Sequence, residues 1–130
     1  MPNSRSAAAV RRETILLVED EPAVRSLFVR ALTREGYLIH EARNGHEAME
    51  LFERIGDSVD LLVTDLRMPL MGGIELARRL RERRPSMKLL CVSGYPGNEV
   101  PVLEAEFLAK PFSRDELVTT IRKILDGPGG

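Results

Sequence analysis

Residues 15–22 read ILLVEDEP, four apolar residues running straight into three acids and a proline. A run this apolar and β-rich fits a strand buried on both faces, as in a parallel sheet covered by helices on each side. Pro22 suits the first position of a helix, where its absent N–H costs nothing. The stretch therefore reads as strand, acidic turn, helix, and the rest of the chain repeats that rhythm.

Residues 22–35 put Val24, Leu27, Phe28, Ala31 and Leu32 on one helical face, with Gly36 at the end. Tyr37–Ile39 is a short strand candidate. Asn44 caps a second helix, with Glu47 three residues on and Ala48, Met49, Phe52 and Ile55 as its apolar face. Val59–Thr64 is a further near-continuous apolar run. Gly72 and Gly73 open a third helix with Leu76, Ala77 and Leu80 inward, stopped by Pro85. Lys88–Val92 and Phe107–Ala109 are the fourth and fifth strand candidates. Ser113 and Glu116 form a capping box for the last helix, whose face is Leu117, Val118, Ile121, Ile124 and Leu125.

Strand and helix thus alternate five times, which predicts an α/β fold: a doubly wound five-stranded parallel sheet with helices on both faces. One crossover departs from the rhythm. Gly94 to Glu106 is short and carries Pro96, Gly97 and Pro101, so the fourth helix is expected to be short or irregular.

At 130 residues the chain reads as one domain, residues 13–126, between a disordered leader or linker (1–12) and a flexible tail (127–130). Its net charge of −1 supplies no general attraction for nucleic acid or anionic membrane. Cys91, the sole cysteine, sits in an apolar run and reads as a reduced core residue, so a disulfide scaffold is excluded. No apolar stretch approaches the roughly 18 residues of a membrane span. The leader has arginines and serines and no acid, a weak resemblance to an organelle-targeting peptide that the disordered-leader or linker reading outweighs. It lacks the long apolar core of a secretory signal, which makes the cytoplasm the expected location.

In open parallel sheets, ligands bind at the carboxyl ends of the strands, beside the point where strand order reverses. Strand one ends in Glu19-Asp20-Glu21, strand three in Asp65, strand four in Ser93-Gly94 and strand five in Lys110-Pro111-Phe112. Acids, a hydroxyl and a lysine far apart in sequence therefore converge on one edge. Two like charges at about 4 Å repel by roughly 4 kcal/mol at an effective dielectric of 20, so such acids take up protons or bind a cation. An all-oxygen set with an open side suits Mg²⁺. A carboxylate beside Mg²⁺, a lysine and a hydroxyl is well placed to attack phosphorus, giving a phospho-aspartate.

The set ILLVEDEP, LLVTDLRMPLMGG, the serine of LLCVSGYP, and FLAKPF, in that order, resembles the receiver domain of two-component response regulators. The likeness runs from about Glu13 to Asp126. It implies the flavodoxin-like strand order 2-1-3-4-5. It also implies that Asp65 accepts a phosphoryl group from a histidine kinase or histidine phosphotransfer protein. Asp20, Asp65 and the backbone carbonyl of Arg67 would ligate Mg²⁺, with Glu19 acting through water. Ser93 and Lys110 would contact the phosphoryl group, and Ser93 and Phe107 would form the switch. The family often has tyrosine at the Phe107 position, so a readout through that hydroxyl is not open to this chain. Arg67 and Tyr95 stand where the family tunes phosphoryl lifetime, and a bulky cation and an aromatic there predict slow self-dephosphorylation. Output in the family passes through the face built by the fourth helix, fifth strand and fifth helix. The short Gly94–Glu106 segment sits on that face and would alter dimerisation or docking of a downstream protein. ETILLVEDEPAVR and SGYP resemble the C-terminal receivers of hybrid histidine kinases, so both a stand-alone receiver and a receiver of such a kinase fit the sequence.

Blander readings compete. Glu19–Glu21 alone could be acids favouring a helix N-terminus, and Asp65 a loop cap. The register of Asp65, Ser93 and Lys110 with them outweighs both. His40 and His46 have no metal-ligand company. RRLRERR (78–84) reads as a solvated helix face, with a docking patch as the alternative. A haloacid-dehalogenase-type phosphatase also uses a strand-end aspartate with Mg²⁺, but needs a second aspartate two residues on, where this chain has Arg67. A binding module that keeps the fold without phosphorylation is disfavoured by the intact acid, serine and lysine set.

Overall fold

The computed structural model describes residues 13–94 and 105–127. In chain order the elements are β1 (Thr14–Val18), α1 (Pro22–Arg34), β2 (Leu38–Ala42), α2 (Gly45–Ile55), a 3₁₀ turn (Gly56–Ser58) and β3 (Leu61–Asp65). Then come α3 (Gly73–Arg83), β4 (Lys88–Ser93), β5 (Glu106–Ala109) and α4 (Arg114–Asp126). All four strand pairings are parallel, and the sheet order is β2-β1-β3-β4-β5. This is the flavodoxin-like order expected. The short or irregular crossover helix expected before β5 falls on residues 95–104, which lie outside the described residues, as do 1–12 and 128–130.

The central strands are apolar on both faces because each face meets its own helical layer. In β1, Leu16 and Val18 join the core beneath α2 and α3, while Ile15 and Leu17 join the core beneath α1 and α4. β3 and β4 split the same way: Leu62, Leu89 and Cys91 face the first layer, and Leu61, Val63, Leu90 and Val92 the second. Side chains alternate across a strand, so a buried strand needs no polar alternation. The edge strands differ. Leu38 opens β2 about half exposed, since only one side of an edge strand is paired.

Helix ends follow their sequence signals. The Asn44 side chain accepts the Glu47 N–H at 2.8 Å, and Ser113 and Glu116 complete a reciprocal capping box. Past α1, Gly36 takes φ 95° while its N–H bonds Thr33 O and the Tyr37 N–H bonds Leu32 O. This Schellman closure, which suits glycine because of the left-handed turn, places Tyr37 in the core and delays β2 to Leu38.

Two expectations need correction. Leu27, assigned to the inward face of α1, is 63% exposed and lines an apolar groove with Phe28, Pro111 and Phe112. A face wide enough to cover the sheet has a margin, and Leu27 lies on it. The arginines of RRLRERR are also less solvated than their helical spacing implies. Arg81 donates to Met87 O, and Arg84 donates to the carbonyls of Gly56 and Val59. Arg79 and Arg83 do pair in the open, with Glu75 and Glu53.

Candidate phosphoacceptor site

The strand order reverses between β1 and β3, and both end at the same edge of the sheet. The turn just past β1 and the last residue of β3 deliver the acids. Glu19 is 1% exposed and Asp65 8%, with Asp20 half-buried beside them. One carboxylate oxygen from each of Glu19, Asp20 and Asp65 lies within 4.8 Å of the other two.

A lysine arrives from β5. Lys110 Nζ stands 2.8 Å from Asp65 Oδ2 and 3.6 Å from Glu19 Oε1. Burial works against its charge, but the hydrogen bond to Asp65 and the charges of Asp65, Glu19 and Glu21 outweigh it, so its pKa is raised. The Lys110–Pro111 peptide is cis. Ser93 ends β4 fully buried, and its carbonyl accepts the Lys110 N–H at 2.9 Å. β4 is in register with β3 such that Val92 faces Asp65, which puts Ser93 one step beyond the acceptor.

Glu19 shows what the site lacks in charge. Burial pushes its pKa up to about 7, the Glu21 N–H and Lys110 offset part of this, and Asp65 and Asp20 add repulsion. Among the described residues the pocket holds one lysine against three acids, and with burial driving Glu19 toward its neutral form it is short of positive charge. An all-oxygen donor set with that deficit and one half-open member fits Mg²⁺.

The loop after β3 keeps Asp65 in place. The Arg67 N–H donates to Asp65 Oδ1 at 3.0 Å while the Arg67 side chain is exposed. Gly73, at the start of α3, donates its N–H to Leu66 O and packs on the Asp65 backbone. A Cβ there would stand 2.3 Å from Asp65 O, so only glycine permits this approach. Leu70 in the same loop has φ 72° and is 84% exposed.

Phe107 pairs with Cys91 in the β4–β5 register and packs half-buried against the core beneath α2 and α3. Tyr95 lies outside the described residues. His40 and His46 stand away from the acidic group, on β2 and α2. Cys91 is fully buried, and burial pushes its thiol up to about 11, which leaves it unreactive. The sequence reading did not single out Arg25, Leu70 or the contact of Gly73 with Asp65. The GG pair at 72–73 carried a signal for the last, since glycine marks close backbone approach.

Fold and site together define a doubly wound domain that gathers acids, a lysine and a hydroxyl at the point where its strand order reverses. The chain belongs to the response regulator receiver domain family, whose model matches residues 15–122, and it is a receiver domain of two-component signalling, a family of phosphoacceptors. It is 46% identical over 118 residues to the sensor kinase CckA of Brucella abortus, covering 87% of this chain but 12% of that protein. It is 38% identical over 117 residues to the response regulator receiver protein CpdR of the same organism, covering 85% of this chain and 95% of that one. Among solved structures, the receiver domain of the hybrid histidine kinase CckA superposes with a TM-score of 0.77 at 34% identity, over 87% of this chain and 99% of that one. The Thermotoga maritima response regulator TrrA, solved with Mg²⁺ and BeF, gives 0.76 at 32% identity over the same shares. Vibrio cholerae CheY4, at 24% identity and a TM-score of 0.81 over 88% of this chain and 99% of that one, shares the fold.

Proposed function

We propose that Asp65 accepts a phosphoryl group from a phosphohistidine of a histidine kinase or phosphotransfer protein. In this step a carboxylate oxygen of Asp65 forms a bond to phosphorus while the phosphorus–nitrogen bond breaks and the imidazole leaves. The observation that carries the reading is the buried Asp65 carboxylate held 2.8 Å from the Lys110 ammonium. That ammonium offsets negative charge on the transferring group and on the acyl phosphate. The Ser93 hydroxyl contacts the phosphoryl oxygens, and Ser93 with Phe107 passes the change to the output face that includes β5 and α4. Glu19, Asp20, Asp65 and the Arg67 carbonyl would hold Mg²⁺, with Glu19 acting through water, and a cation held there would supply positive charge against the acids and the incoming phosphoryl group.

The domain, residues 13–126, catalyses its own phosphorylation and dephosphorylation without turning over a separate substrate. It acts in the cytoplasm, as a stand-alone receiver or as the receiver of a hybrid kinase, with a downstream protein or a second phosphorylated copy as its output. Incubation with Mg²⁺ and a small phosphodonor should add the mass of one phosphate. Asp65→Asn should abolish the gain, and equal labelling of that variant would refute the assignment. Slow loss of the label in the isolated domain is expected from the bulk of Arg67 and Tyr95, and rapid loss would count against their role. Phosphate acquisition also separates this function from a binding module that keeps the fold alone.

A further inference from the structure

Arg25 lies on α1, yet its guanidinium is held at both ends. Its side chain is 15% exposed. Its Nη1 donates to the backbone carbonyl of Glu19 at 2.8 Å, and its Nε donates to Glu41 Oε1 at 3.2 Å. One planar guanidinium therefore joins three elements: the helix that carries it, the end of β1 and the end of β2. A lysine could not make both contacts in this way, because only a guanidinium presents several donors in a fixed fork.

Glu19 stands just past the last ladder residue of β1, where the regular pairing with β3 stops at Val18. Beyond that point other bonds must fix the backbone. The Glu19 N–H is held by Ala42 O at 3.1 Å, its side chain by the Glu21 N–H at 3.1 Å, and its carbonyl by Arg25. The carbonyl belongs to the peptide that leads into Asp20, so the Arg25 contact sets the direction in which Asp20 leaves the strand.

We propose that Arg25 is a positioning residue that fixes the Glu19–Asp20 peptide and so the placement of both carboxylates toward a divalent cation and Asp65. This rests on the phosphoacceptor reading of the site. Groups that orient ligands from behind change metal affinity by about tenfold or more when removed.

Electrostatics gives the test a decisive sign. Were Arg25 only a nearby positive charge, its removal would strengthen cation binding, since less repulsion remains. As a positioning residue, its removal weakens binding in spite of the lost charge. Mg²⁺ affinity is measured by calorimetric titration of the full chain, with urea unfolding of the same samples to confirm that each variant is folded. Arg25→Gln should weaken Mg²⁺ binding about tenfold. Arg25→Lys, which keeps the charge, should also weaken it. Glu41→Gln, which leaves the bond to the Glu19 carbonyl in place, should bind within about twofold of wild type on the scale of that effect. Where Arg25→Gln does not fold, Arg25→Lys against Glu41→Gln decides the matter. Unchanged or tighter Mg²⁺ binding by the folded Arg25 variants overturns this inference alone. A wild-type chain that binds no Mg²⁺ overturns both this inference and the metal-dependent reading beneath it.

Discussion

Glu19-Asp20-Glu21 and the arginine-rich run at residues 78–84 are both dense in charge, and the fold treats them in opposite ways. The acids stand where β1 leaves a buried sheet, so Glu19 is closed off from water and shares its surroundings with Asp20 and Asp65. One lysine answers three carboxylates, and the balance is left open. The arginines lie on α3, and those that turn inward find backbone carbonyls while Arg79 and Arg83 find glutamates at the surface. Charge density in sequence is therefore a poor guide to chemistry. What distinguishes the two runs is whether burial leaves a charge uncompensated, because only then does a counter-charge such as a divalent cation gain by arriving.

The largest effect that would break this comparison is at Glu19. In magnesium-free solution the folded protein keeps a proton on Glu19 that the unfolded chain gives up, because the folded pKa is raised from 4.5 to about 7. Its contribution to stability is fully present below about pH 4.5 and is lost as pH rises to about 7, by up to about 3 kcal/mol. Urea unfolding at about pH 5 and pH 8 should show wild type weakening across this window and Glu19→Gln holding level, for this reason. A wild-type slope that Glu19→Gln leaves intact would place the open charge elsewhere.

A middle-sized effect is expected at Arg84, which caps the C-terminus of α3 and donates to the carbonyls of Gly56 and Val59. Arg84→Ala removes the donor from carbonyls of buried residues and should cost about 1–3 kcal/mol in thermal or urea denaturation. The smallest is at Arg79, whose pairing with Glu75 is half exposed at both ends. Arg79→Ala should change stability by less than about 0.5 kcal/mol, and that little should fade further in high salt. Equal costs for Arg79→Ala and Arg84→Ala would erase the distinction between spent and solvated arginines.

Much of the fold was legible because its signals are local. Ile15–Val18, Leu61–Thr64 and Lys88–Val92 are apolar throughout since helices cover both faces, and Asn44 and Ser113 cap the helices they precede. The acids and Lys110 were legible as a set, because the alternating strands and helices bring the ends of β1, β3 and β5 to one edge of the sheet. Legibility ended where the answer depends on packing at a margin or on a long side chain's reach. Tyr37 reads as a strand residue, yet the turn at Gly36 seats it in the core before β2 begins. Leu27 has the spacing of a core residue but sits at the edge of its helix's buried stripe. Arg25 and Arg84 look like surface cations, and only the fold brings the carbonyls of Glu19 and Gly56 within their reach.

The central claim is that Asp65, and not the acids beside it, is where phosphate arrives. An acyl phosphate formed with Mg²⁺ and a small phosphodonor can be reduced with borohydride to mark the modified residue as homoserine. Peptide mass spectrometry should then find the mark at Asp65 alone, and only when Mg²⁺ was present. Homoserine at position 20, or at Asp65 to the same extent without Mg²⁺, would contradict the account.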